Sequence, residues 1–183
     1  MDLILTPSSL ADRNELANAS YIGARIADTY FVPARWCDSA TMRGYVMSCI
    51  TTRTSVVTHE TALWIHTGRT TLALERGLSI ADSSNNTHGR SHRSFVAAAD
   101  TVSCGSQILT TPERTAVDLL LRDIPTGISY LLEIARAYPQ LRLAAVQKCA
   151  YAMSSVRGIR RVRDVLTQLE TVSSCLFSTG DDS

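Results

Sequence analysis

The sequence predicts an α+β protein: a small N-terminal helix-plus-hairpin, a mixed α/β centre with short strands, and a helical C-terminal third. Three observations carry that prediction. Apolar residues recur at helical spacing in nearly every stretch beyond Pro112. Between residues 69 and 107 the apolar runs are short and interrupted, as strands are. Strands and helices do not alternate regularly enough for a doubly wound sheet. At 183 residues and 45% hydrophobic, the chain can bury one sizeable core. The expected division is residues 1–35 for the helix-plus-hairpin, 36–170 for an α/β body and 171–183 for a flexible tail.

In chain order, "TPSSLADRNELANAS" reads as a short helix capped by Ser8 or Ser9, with Leu10 and Leu16 too few for a wide apolar face. Tyr21 to Ile26 and Thr29 to Val32 alternate as a small hairpin closed by Pro33. From Trp36 to about Arg53, Met42, Tyr45, Val46, Cys49 and Ile50 form a stripe at helical spacing. Thr58 is placed to cap a helix that buries Ala62, Leu63 and Ile65 and stops at Gly68. "LALERGLSI", "SFVAAA" and "DTVSC" read as strands, separated by the polar surface loop "ADSSNNTHGRSHR".

"ILTTPERTAVDLLL" then combines several signals that start a helix. Ile108 and Leu109 end a strand, Thr111 can cap, Pro112 stands at the first helical position, and Glu113 puts a negative charge at the positive end of the dipole. Arg114 and Asp118 are neighbours four residues apart, and Asp118 is expected at the rim of a face buried through Ala116, Val117, Leu120 and Leu121. Glu113 and Asp118 diverge around the helix by about 140°, so they cannot converge on one substrate. The motif Thr111, Pro112, Glu113, Arg114 and Asp118 is therefore read as architecture. Three further helices follow, around Ile128 to Ala135, Leu141 to Met153 and Ile159 to Leu169.

The formal charge of +1 creates no global field for nucleic acid or membrane, so such binding needs local clusters. Arginine supplies nearly all the positive charge, Lys148 being the only lysine. Five scattered cysteines without C-x-x-C spacing point to a reduced, cytoplasmic protein. No leader or membrane span is expected, because no apolar run approaches the roughly 18 residues a span needs. Neither a phosphate-cradling glycine loop nor a nucleophile elbow is present, and His59 and His66 lie two helical turns apart. No metal, cofactor or catalytic residue is assigned. Two basic clusters stand out: His88, Arg90, His92 and Arg93 in one loop, and Arg157, Arg160, Arg161 and Arg163 at a helix start, where an Arg160–Asp164 pair is expected.

"ADTYFVPARW", "TSVVTHETALWIHTG" and "ILTTPERTAVDLLL", in that order, resemble the AbiEi family of antitoxins from type IV toxin–antitoxin systems, over about residues 21 to 170. The matching positions are Tyr30 to Pro33, Thr58 to Ala62 and Thr111 to Asp118. The resemblance implies a winged-helix headpiece, here a remnant over 1–35 with one helix before its hairpin, that binds operator DNA for autoregulation. It also implies a nucleotidyltransferase-like toxin as partner. Asp28 and Thr29 replace basic and glycine residues of the wing, and no C-terminal nuclease domain is implied.

The reading is a non-enzymatic, cytoplasmic AbiEi-like antitoxin or transcriptional regulator, with Arg13, Arg25 and Arg35, assisted by Arg90 and Arg93, as the DNA-binding residues. Two alternatives stand beside it. One is a protein-interaction module without DNA affinity, a homodimer using the helix face of Trp36, Met42 and Tyr45. The other is an enzyme using Glu60, His66, Glu113 and Asp118.

Overall fold

A computed structural model describes residues 4–52, 54–81, 90–91 and 96–178, with 90–91 and 173–178 as backbone. The chain forms two compact units, Met1–Thr111 and Pro112–Ser183. It is α+β, as the sequence predicts, and among the described residues no helix is long and apolar enough to cross a membrane.

Unit 1 begins with helix α1 (Leu10–Asn18), capped by Ser9, whose Oγ accepts from the Asp12 N–H at 3.1 Å. No residue of α1 is buried, as its two leucines foretold. Strands β1 (Ile22–Ile26) and β2 (Tyr30–Pro33) follow as an antiparallel hairpin. The three residues between them, Ala27 to Thr29, hold Ala27 and Asp28 at φ of 51° and 59°, and the Thr29 N–H donates to the Ile26 carbonyl at 3.2 Å. Ala27 and Asp28 are both left-handed, as the right-handed twist of the strands requires.

The expected helix from Trp36 starts later. Ala34–Trp36 is a 3₁₀ turn, and α2 (Ala40–Ile50) begins where Ser39 Oγ accepts from the Met42 N–H at 3.2 Å. Its buried face is Arg43, Gly44, Val46 and Met47, whereas Tyr45 and Cys49 face outward. The rotation has a physical cause: a Cβ on Gly44 would stand 2.1 Å from the Cys104 carbonyl oxygen, so this face alone can meet the strands.

The five-stranded sheet has the order β5-β4-β3-β7-β6. Its strands are β3 (Val56–Val57), β4 (Ser79–Ala81), β5 (Arg90–Ser91), β6 (Thr101–Cys104) and β7 (Gln107–Thr110). β3 runs parallel to β7 and antiparallel to β4, β4 is parallel to β5, and β6 is an outer strand antiparallel to β7. Helix α3 (His59–Thr67) follows β3 directly and stops at Gly68, φ 79°, as predicted. Every residue from Glu60 to His66 is buried. The first part of "LALERGLSI" is a helix rather than a strand, α4 (Leu72–Arg76), because Thr71 Oγ1 accepts from the Leu74 N–H at 3.1 Å and starts a single turn. Only its second part is strand. The loop "ADSSNNTHGRSHR" lies almost wholly outside the described residues.

The core of unit 1 joins Ala24, Ile26 and Val32 of the hairpin to Val46, Met47, Val57, Trp64, Ile65, Leu74 and Leu109. The hairpin is thus one wall of the core that the helices and strands after it complete. The two compact units divide after Thr111.

Unit 2 comprises α5 (Pro112–Arg122), α6 (Ile124–Ala137), α7 (Leu143–Ala152) and α8 (Ile159–Ser178), with α5 packed against the other three. Pro112 opens α5, as predicted. Asp123 caps α6, accepting from the Thr126 N–H at 3.0 Å. α8 buries Ile159, Val162 and Leu166 and continues through Thr171 to Ser178, so the tail predicted from 171 is helical over its first part.

Candidate nucleic-acid interface

Of the five arginines expected at DNA, the structure brings two together. Arg13 projects from α1 and Arg25 from β1, and both guanidinium groups close on the Asp28 carboxylate at the hairpin turn. The Arg13 Nη2–Asp28 Oδ1 distance is 3.1 Å, and Arg25 Nη2 pairs with the same oxygen. Arg25 also lies over the Phe31 ring, 6.0 Å from its centroid. Burial pushes the Asp28 carboxyl up, but the hydrogen bond and charge of Arg25, with Arg13 behind it, outweigh burial and hold it below the ordinary carboxylate value. The trio carries a net charge of only about +1, and a phosphate would have to displace Asp28 to reach either arginine.

Arg35 stands past the other end of the hairpin, in the 3₁₀ turn, over the Trp36 ring at 5.2 Å. Arg90 lies on β5, described as backbone, and Arg93 lies outside the described residues, as do His88 and His92.

The α5 motif turns inward. Arg114 Nε donates to Asp118 Oδ1 at 2.9 Å, and the two side chains are 8% and 5% exposed. The expected pair is present, but Asp118 is buried rather than at the rim. Every residue from Arg114 through Leu120 is buried, so polar and apolar faces alike are covered. Thr111, Pro112 and Glu113 are half-buried. Of the residues weighed for catalysis, Glu60 and His66 are buried on α3 in unit 1, while Glu113 and Asp118 belong to unit 2. His66 Nε2 lies 2.8 Å from the Thr110 carbonyl oxygen, a bond that ties α3 to β7. Among the described residues no three His, Cys, Asp or Glu side chains are grouped to hold a metal ion.

Comparison of the chain with protein-family models, with curated proteins and with solved structures finds no match.

Two polar constellations escaped the sequence reading. Arg43, buried within α2, donates through Nε to the Ile65 carbonyl at 2.9 Å, through Nη2 to the His66 carbonyl at 3.3 Å, and through Nη1 to the Cys37 carbonyl. A guanidinium thus meets the negative end of the α3 dipole. Its only signal was an arginine flanked by positions at apolar spacing. Beside it, burial pushes the Cys37 thiol up to about 11 against the pull of Arg43, so the thiol stays protonated at neutral pH.

The second constellation is on unit 2. Arg163 donates to the last carbonyls of α7, Ala150 at 3.1 Å and Tyr151 at 3.3 Å, and its guanidinium lies 4.9 Å from the centroid of the Tyr151 ring. The expected Arg160–Asp164 pair is not formed among the described residues, and Arg157, Arg160 and Arg161 are exposed.

Proposed function

We propose that the chain is a non-catalytic regulator of the AbiEi antitoxin type, acting by binding rather than by chemistry. The observation that carries this reading is the buried Arg114–Asp118 pair, 2.9 Å apart. In the most distinctive motif of the chain Arg114 and Asp118 meet each other inside the fold, as a scaffold requires. Operator DNA and a nucleotidyltransferase-like toxin are the partners this reading names. Co-expression with such a toxin tests the antitoxin role, the expected result being rescued growth and a co-purifying complex. The absence of both rescue and complex overturns it. A salt titration of duplex binding tests the regulatory role, because contact with phosphates makes affinity fall linearly with salt on logarithmic axes.

A homodimeric interaction module is the second reading, favoured by one observation. Tyr45 is 45% exposed on α2, and Val102 is 41% exposed on the outer strand β6, which packs against the same helix. Light scattering tests it: a dimer that Tyr45→Glu splits supports this reading, and a monomer at all concentrations overturns it.

A further inference from the structure

From Lys148 through Arg163 the chain carries five cations, Lys148, Arg157, Arg160, Arg161 and Arg163, and no carboxylate. The fold brings part of this run together. Lys148 and Tyr151 are three residues apart on α7, and Arg160 and Arg163 three apart on α8, so each pair shares a face. The Tyr151 ring stacks on the Arg163 guanidinium and joins the two pairs. Tyr151 is 58% exposed, and Lys148 and Arg160 are exposed as well.

Arg163 is anchored by the last carbonyls of α7, but helix stability does not account for the other four charges. Arg160 and Arg161 stand in the first turn of α8, where the dipole disfavours cations. No carboxylate forms an ion pair with Lys148, Arg157, Arg160 or Arg163 among the described residues, while the charge of Arg161 acts on the Asp123 carboxylate. The hairpin arginines, by contrast, are already joined to Asp28.

We propose that the stripe Lys148–Tyr151–Arg163–Arg160 binds the phosphodiester backbone of nucleic acid, with the exposed Tyr151 ring offered to a base. The inference rests on the regulator reading and moves its nucleic-acid contact from the hairpin to α7 and α8. Helical neighbour spacings of about 5–6 Å on either side of the Tyr151–Arg163 stack spread the three cations over one patch, one for each of about three phosphates. The aromatic ring selects nucleic acid over an acidic protein surface, because every base has a face that stacks on it and a carboxylate has none.

The test is fluorescence anisotropy with a labelled duplex of mixed sequence and with its single strand, from about 50 to about 200 mM salt. Wild-type protein is expected to bind both, with a logarithmic salt slope of about −3 on duplex and about −2 on single strand. K148E/R160E, whose two side chains hold no described bond, loses at least about tenfold in affinity, the direction that loss of phosphate neutralisation gives. The charge-matched R69E/R76E on unit 1 stays within about twofold. Tyr151→Leu weakens the single strand more than the duplex. Circular dichroism confirms that each variant is folded.

Unchanged binding by K148E/R160E overturns the proposal, as does competition by polyglutamate as effective as by DNA, which would assign the stripe to an acidic protein. Loss confined to R13Q/R25Q overturns the stripe and leaves the regulator reading standing on the hairpin. Absence of salt-sensitive binding to any DNA overturns the stripe and the operator role together, while toxin capture decides the antitoxin role separately.

Discussion

Arg114 and Asp118 face each other inside the fold, and removing either leaves the other charge buried with one partner fewer. Removing one end of a buried pair typically costs about 3–5 kcal/mol, because the remaining charge has no water to receive it. Arg114→Ala and Asp118→Ala are each expected to lose about that much in urea denaturation, and the double variant less than their sum. Strict additivity would mean that the two groups do not act as a pair. Asp28 behaves differently because it is half exposed. Its folded value lies below the ordinary one, so its stabilisation is present above the unfolded value of about 3.9 and is lost as pH falls through the lower folded value. The stability difference between wild type and Asp28→Asn should be constant near neutrality and vanish in acid. A difference that persists once Asp28 is protonated would assign the effect to shape rather than charge.

At the scale of elements, α2 and the β6–β7 turn meet backbone to backbone. A Cβ on Gly44 would lie 2.1 Å from the Cys104 oxygen and 2.7 Å from its carbonyl carbon. Gly44→Ala must displace the helix, and overpacking of this kind costs typically about 1–3 kcal/mol, which would lower the urea midpoint. An unchanged midpoint would show that the two elements slide apart freely. The same contact explains what the sequence could and could not foretell. Helix starts were legible at Ser9 and Pro112 and a stop at Gly68, because caps and breakers act within one turn. The hairpin was legible because its alternation and its Ala27–Asp28 turn are local. The orientation of α2 was not: Tyr45 and Cys49 fit the helical stripe, and only the distant Cys104 excludes them from the core. Nor was α4, whose single turn rests on the Thr71 cap within a run that reads as strand. The site divided in the same way. Arg13 and Arg25 could be picked out by charge and Asp28 as a negative charge in the wing, yet the Arg43 clasp and the Tyr151–Arg163 stack join residues on separate helices.

On the scale of the whole molecule, charge is close to balance, with a formal net of +1 and a sequence pI near 7.7. Proteins near their isoelectric point lack the self-repulsion that keeps copies apart. Static light scattering should therefore show the strongest attraction between copies near pH 7.7 and net repulsion on either side. A second virial coefficient indifferent to pH would mean that apolar contacts, not missing repulsion, govern association. One rim of the sheet bears on the same matter. β6 is only four residues long and alternate peptide groups along it turn away from β7, giving a foreign chain room for just a few hydrogen bonds. Brevity thus acts as a safeguard against templated polymerisation, and any insertion that extended this strand would remove it.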